Sequence, residues 1–314
     1  MNYQHAFHAG NFADVHKHIV LTRILDYLRQ KPAAFRVIDT HAGAGLYNLL
    51  GPQAARSGEW RDGIGRLFAM PRSGAAGTDS MEVLVAPYLD IIAALNPGGT
   101  LRLYPGSPLI VKALLRTQDR LIACELEPTA AALLKAALYG DARAKVLSID
   151  GWVGLFANIP PKERRGLIVI DPPYEETVEF ARLSDALAQA YRKWPNGLYL
   201  LWYPIKYTEI TGDFPRFSQI PPDGYRDRQQ KRPSGREGAD ALARQLRRTG
   251  IPKLLRCELS IGPARAEGGL TGSGLIVVNP PFPLERELRV LLPAVVRWLA
   301  PTGGTYRLDW LSGE

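Results

Sequence analysis

Short runs of aliphatic and β-branched residues recur along this chain, and stretches with helical periodicity lie between most of them. Few architectures accept that alternation. Candidate strands cover 35–40, 120–125, 145–149, 166–171, 198–203, 254–261 and 274–279. The clearest helix covers 13–29, where Val15, Ile19, Ile24, Leu25 and Leu28 share one side and Asn11 stands as N-cap. Segments 130–137 and 183–193 behave alike. Buried strands alternating with helices predict an α/β fold with a mostly parallel sheet. No clear helix separates the last two strands; a Gly-rich joint at 262–274 fits an antiparallel pair.

Two segments break this rhythm. Residues 50–99 are far longer than a strand-to-helix connection needs, and carry a helix expected at 80–95. They read as an inserted helical subdomain, dividing a main domain of 1–49 and 100–314. Residues 207–238 are rich in Pro, Gly and charge and read as a long basic loop before a basic helix at 237–248. The net charge is +8, and ten Lys/Arg against three acids fall between 226 and 256. Such a field attracts phosphate backbones whatever their sequence, although a solvated basic loop has the same composition. No apolar run reaches the ~18–20 residues of a membrane span, and the N-terminus lacks a basic stretch followed by an apolar one. Cys124 and Cys257 both sit in apolar runs, without a disulfide framework. A cytoplasmic setting is expected.

The first unit ends in Asp39-Thr40-His41-Ala42-Gly43-Ala44-Gly45. Glycines just past a strand let backbone approach a nucleotide-like ligand at the carboxyl edge of the sheet. Asn48 stands where a dinucleotide fingerprint has its third glycine, which argues against a pyrophosphate cofactor. Two later strands end in acids, Glu125 and Asp150-Gly151. Carboxylates at successive strand ends suit ribose hydroxyls and an adenine amine, although each alone also serves as a helix cap.

The strand at 166–171 ends in Asp171-Pro172-Pro173-Tyr174. An exocyclic amine on a planar base is a poor nucleophile, because its lone pair is delocalised into the ring. An acceptor side chain at Asp171 and the Pro172 carbonyl can take the amine hydrogens and localise that pair toward a methyl donor. The prolines stiffen the turn, and Tyr174 can stack on a base taken out of its helix. A plain rigid turn is the competing reading. Asn279-Pro280-Pro281-Phe282 imitates the motif, but too little chain follows it to complete such a sheet, so it is read as a structural turn.

All five histidines (5, 8, 16, 18 and 41) fall within the first 41 residues. The cluster raises a metal-hydrolase reading, but His16-Lys17-His18 lacks the following Asp-His, and no His-Glu-x-x-His occurs. An N-terminal segment folded over the cofactor pocket is favoured, with Tyr3, His5 and Phe7 within reach of nucleic acid.

Several stretches together resemble one family. These are Phe7-His8-Ala9-Gly10-Asn11, Asp14-Val15-His16-Lys17-His18, the turn from Asp39 to Gly45, Tyr104-Pro105-Gly106-Ser107-Pro108-Leu109-Ile110, the strand ending in Asp171-Pro172-Pro173-Tyr174, and Leu201-Trp202-Tyr203-Pro204. Nearly end to end, the chain is similar to the bacterial 23S ribosomal RNA adenine-N6 methyltransferases of the RlmJ type. The resemblance implies a class I S-adenosylmethionine-dependent methyltransferase, with a Rossmann-like, seven-stranded, mostly parallel sheet and a small helical insertion. It implies S-adenosylmethionine as methyl donor and no metal. The implied cofactor contacts are His18, His41, Gly43, Ser107, Glu125, Asp150 and Gly151. Asp171, with Pro172 and Tyr174, would carry catalysis; Tyr3, His5 and Lys17 would contact 23S ribosomal RNA, free or in an early assembly particle. Ser107 also reads as the N-cap of a helix beginning at Pro108. Segment 207–238 looks longer than its family counterpart and receives no family role. A monomer is expected, since no heptad occurs. Asp171-Pro172-Pro173-Tyr174 does not itself separate RNA from DNA, so an N6-adenine methyltransferase acting on DNA is the alternative. Intact Asp171 and Tyr174 disfavour a binding module that has lost catalysis.

Overall fold

Parallel strands must be covered on both faces, and the apolar runs are disposed accordingly. The computed structural model describes residues 5–70, 80–174, 179–206, 235–262, 270–301 and 303–313. The strands are β1 (Arg36–Asp39), β2 (Leu46–Asn48), β3 (Leu103–Pro105), β4 (Arg120–Cys124), β5 (Ala144–Leu147), β6 (Gly166–Ile170), β7 (Leu198–Lys206), β8 (Leu254–Ser260), β9 (Leu270–Val278) and β10 (Thr305–Ser312). The helices are α1 (Phe12–Arg29), α2 (Pro52–Ser57), α3 (Arg66–Phe68), α4 (Met81–Leu95), α5 (Ser107–Leu114), α6 (Pro128–Ala137), α7 (Gly151–Asn158), α8 (Glu179–Lys193), α9 (Gly235–Arg248) and α10 (Leu284–Leu299).

Among the described residues the main sheet runs β10-β8-β9-β7-β6-β1-β4-β5. β5, β4, β1, β6 and β7 are mutually parallel. β9 is antiparallel to both β7 and β8, and β10 is antiparallel to β8. All seven expected strands are present, and β10 adds an eighth where the resemblance implied seven. The chain moves outward from β1 to β4 and β5, then returns to the other side of β1 for β6 and β7. That reversal opens a crevice at the strands' carboxyl ends, the usual ligand position in such sheets.

Side chains alternate between two cores, as a period of two requires. Val37, Leu121 and Val169 pack with α1, α5 and α10. Ile38, Ile122 and Ile168 pack with α7, α8 and α9. Asn11 caps α1 as expected, its side chain accepting from Ala13 N and Asp14 N.

The 50–99 segment is helical where described. It leaves and rejoins the sheet through a β2–β3 ribbon, closed by Leu49 N–H donating to the Arg102 carbonyl at 2.8 Å. Its Ile64, Leu67, Leu84, Tyr88 and Ile92 join the core of α1 and α10 and form no core of their own.

Two expectations are corrected, and a third lies outside the described residues. Ser107 does not cap α5; Gly106 holds that position, and the Ser107 hydroxyl donates to Asp39 Oδ2 instead. Arg256 belongs to no surface field, being 1% exposed and paired with Asp309 Oδ2 at 2.7 Å. The long basic loop falls largely on 207–234, outside the described residues. Meanwhile the motif at Asn279 is a turn, as expected. Because β9 is antiparallel, Val278 pairs with Tyr199 near the start of β7, at the edge opposite Asp171. Asn279 Nδ2 is occupied there by the Pro195 and Gly197 carbonyls, both at 2.8 Å.

Candidate active site

A cavity of about 440 Å³ opens at the carboxyl ends of β1, β4 and β6. The turn after β1 enters it with Gly43 and Gly45 in the left-handed region, at φ 64 and 78°. A Cβ on Gly43 would lie 2.3 Å from Tyr47 Oη, so only glycine keeps this passage open. Gly43 N–H donates to Glu125 Oε2, and Glu127 N–H to Glu125 Oε1, both at 2.8 Å. Backbone thus aims the carboxylate while each oxygen keeps a second acceptor site. Asp150 caps α7 through Oδ1, at 2.9 Å from Trp152 N and 3.0 Å from Val153 N. Its Oδ2 lies 3.8 Å from Arg182. Asp150 thus both caps α7 and lines the cavity. A Cβ on Gly151 would meet the Thr40 carbonyl at 2.1 Å and His41 Nε2 at 2.8 Å.

Two histidines in this wall are neutral. Thr40 donates its hydroxyl to the Val169 carbonyl, so the 2.8 Å contact with His41 Nδ1 has the ring as donor and leaves Nε2 an acceptor. Burial lowers His41 to about 4 and His18 to about 3. His18 Nδ1 bonds Tyr104 Oη at 2.7 Å, and Tyr88 Oη lies 2.9 Å beyond. His18 Nε2 is buried without a hydrogen-bond partner among the described residues, and so is Asp39 Oδ1. Burial pushes Asp39 up to about 7, against the pull of Ser107 and Lys17. Orphaned buried polar atoms, a glycine passage and carboxylates at consecutive strand ends fit a nucleoside joined to an amino acid.

A second cavity, of about 510 Å³, adjoins the first, and both are lined by His5, Lys17, Asp171, Pro172 and Pro173. Lys17 reaches this junction from α1, with Nζ 2.5 Å from Asp171 Oδ2 and 3.0 Å from Asp14 Oδ1. Burial alone would neutralise the ammonium, but Asp14 and Asp171 hold Lys17 above the ordinary lysine range. Asp14 also accepts from Gly10 N–H and bonds His5 Nε2, both at 3.0 Å. Lys17 and His5 oppose its burial penalty and hold it well below the usual carboxylate range. Tyr174 lines the second cavity, its hydroxyl donating to the Trp202 carbonyl at 2.6 Å. Across from it, His8 Nδ1 pairs with Glu59 of the insertion at 3.0 Å.

Of the expected residues, His5, Lys17, His18, His41, Gly43, Ser107, Glu125, Asp150, Gly151, Asp171 and Pro172 gather around the first cavity, and Tyr174 faces the second. Tyr3 lies outside the described residues. Lys17 is buried between two carboxylates at the junction of the cavities. The five histidines have separate partners, and among the described residues no three metal-ligating side chains converge. Sequence reasoning missed Asp14, Arg182 and Trp202, which line the cavities, and Asp39, which lies buried behind Ser107. Asp14 was detectable, three positions before Lys17 on one helix face. Asp39 bears the strand-end signal that marked Glu125 and Asp150. Arg182 has no local signal.

The profile of the family described as ribosomal RNA large subunit methyltransferase D, RlmJ, matches residues 32–219 and 234–312. Ribosomal RNA large subunit methyltransferase J of Escherichia coli K12 is 37% identical over 315 residues, covering all of both chains. The protein of that name in Haemophilus influenzae is 37% identical over 316 residues, again covering both. A crystal structure of a Legionella pneumophila protein superposes with TM-score 0.77 at 32% identity, covering 96% of this chain and 98% of that one. By sequence profile, full-length identity and fold, the chain belongs to the RlmJ family of ribosomal RNA large subunit methyltransferases.

Proposed function

We propose that the chain transfers a methyl group from S-adenosylmethionine to the exocyclic N6 amine of an adenine in 23S ribosomal RNA. The observation that carries this reading is the junction, where Asp171 and Pro172 face two adjoining cavities. The first cavity takes the cofactor: Glu125 the ribose hydroxyls, Asp150 the adenine amine, and His18, His41 and Ser107 the remainder, with Gly43 and Gly151 keeping space clear. When bound, S-adenosylmethionine supplies a methyl carbon open to nucleophilic attack. The second cavity takes the target base, extruded from its helix and stacked on Tyr174. Asp171 and the Pro172 carbonyl accept the two amine hydrogens, localising the nitrogen lone pair. Lys17 engages Asp171 Oδ2 and leaves Oδ1 to the amine, and Asp171 then takes the proton that the methylated nitrogen sheds. Catalysis is mostly positioning and amine polarisation. Negative charge exceeds positive around the first cavity, which favours a cationic cofactor. The enzyme acts as a cytoplasmic monomer on rRNA, free or in an early assembly particle, without a metal.

The test is incubation with labelled S-adenosylmethionine and 23S RNA from cells lacking the enzyme, followed by digestion to nucleosides. Label in N6-methyladenosine at one site supports donor, reaction and substrate together. DNA of matched sequence is the control: label there instead of in RNA overturns the rRNA assignment and leaves the chemistry.

A further inference from the structure

Behind the Tyr174 wall runs a chain of buried polar groups that the chemistry above does not use. Trp202 Nε1 donates to Ser273 Oγ at 3.0 Å. Ser273 Oγ lies 3.0 Å from His16 Nδ1, and His16 Nε2 lies 3.0 Å from Cys257 Sγ. Ser273 and Cys257 are fully buried, His16 is 2% exposed, and none of the three lines either cavity. An indole N–H only donates, so Ser273 Oγ accepts from Trp202, while the directions of the Ser273–His16 and His16–Cys257 bonds follow the His16 tautomer. Burial lowers His16 to about 3 and raises the Cys257 thiol, so neither charges near neutral pH. Polar groups in a core of Leu and Val cost free energy when unpaired, and each member of this set has a partner.

The chain ends where it meets the site. Trp202 lines the second cavity, its ring stands edge-on to Tyr174 at 5.6 Å and 68°, and its carbonyl accepts the Tyr174 hydroxyl. Turning the indole would break the Ser273 bond and withdraw the ring from Tyr174. We propose that Trp202 contacts the target base, and that Ser273 and His16 are positioning residues that lock its ring beside Tyr174 as a two-aromatic wall. The proposal rests on the assignment of the second cavity to an extruded base. Consecutive residues of α1 then serve both halves of the junction: His16 fixes the wall and Lys17 the carboxylate.

The test compares Ser273→Ala, Ser273→Thr and Trp202→Phe with wild type. Ser273→Ala should lower kcat/KM for 23S RNA about five- to tenfold, the effect of one buried hydrogen bond, with S-adenosylmethionine affinity unchanged. Ser273→Thr should restore it. Trp202→Phe keeps an aromatic ring without the N–H and should lose as much as Ser273→Ala, with no added loss in the double variant. Should Ser273→Ala not fold, Trp202→Phe decides alone. Wild-type kcat/KM in a folded Ser273→Ala or Trp202→Phe protein overturns the proposal. A wild-type protein that leaves RNA unmethylated sinks the rRNA reading instead. The wall is then judged by binding of adenosine monophosphate in the presence of S-adenosylhomocysteine. Weaker binding by the two variants supports it, and equal binding, or none by wild type, overturns it.

Discussion

Beyond the His5, Lys17, Asp171, Pro172 and Pro173 that both cavities share, the first is lined mostly from the ends of β1, β4 and β5. The second is lined instead by His8, Glu59 and Asp62, by Trp202, Pro204 and Lys206 of β7, and by Ile261 and Leu270 at the ends of antiparallel β8 and β9. In the first, backbone does most of the positioning: Gly43 N–H and Glu127 N–H aim Glu125, and the start of α7 aims Asp150. In the second, side chains distant in sequence hold one another. Lys17 and Asp171 are 154 positions apart, and His8 and Glu59 are 51 apart. Backbone-built sites fail when a side chain intrudes, and ion-pair-built sites fail when a charge is removed.

The carboxylate shared by both should matter most. Asp171→Ala should lower methyl transfer by about 10²–10³-fold, the usual effect of losing one aimed polar group. Cofactor affinity measured by calorimetry should stay within about threefold, since on the proposed assignment strand-end contacts that do not involve Asp171 would hold the cofactor; retained turnover would refute the assignment. Gly151→Ala should injure the first cavity alone. Its new methyl meets the Thr40 carbonyl, and roughly 1–3 kcal/mol of cofactor affinity should be lost. Binding equal to wild type would show that α7 shifts freely.

Asp14→Asn should do the reverse, loosening His5 and Lys17 while the strand ends stay in place. We expect about a tenfold lower kcat on RNA, of the order of one charged hydrogen bond, with near-normal cofactor binding. A parallel loss of both would break the distinction between the cavities. The smallest effect concerns Asp39. Burial raises its carboxyl to about 7, so the folded chain holds this proton more tightly than the unfolded one. That stabilisation is full below the unfolded carboxylate range and is lost as pH rises through 7. Without ligand, wild type should therefore lose a few degrees of Tm relative to Asp39→Asn between pH 5 and pH 8. Parallel Tm curves would mean that Asp39 stays ionised throughout.

The same contrast explains what could be read in advance. β6 is buried at every residue, so its apolar run is unmistakable, and the acid closing β4 lies next to a run buried at four of five positions; β5 is only partly buried and its run is weaker. β10 escaped notice because an edge strand needs no apolar run; Thr305, Tyr306 and Arg307 are all exposed. β2 and β3 are three residues each, too short to show a period. The role of Asp171 was legible from its own tetrapeptide, but its pairing with Lys17 was not. Only the packing of α1 against the sheet brings them together. Strand direction also had to be seen: it separates the motif at Asp171 from its imitation at Asn279, which faces the opposite edge.

The ribbon under the insertion is closed. Because Leu49 and Arg102 are tied, the excursion between them enters and leaves the sheet at one point. Doubling its length would add only about 0.6 kcal/mol of closure entropy. The excursion, and with it the Glu59 side of the second cavity, can therefore change length at little entropic cost while the ends of β1, β4 and β6 stay in place.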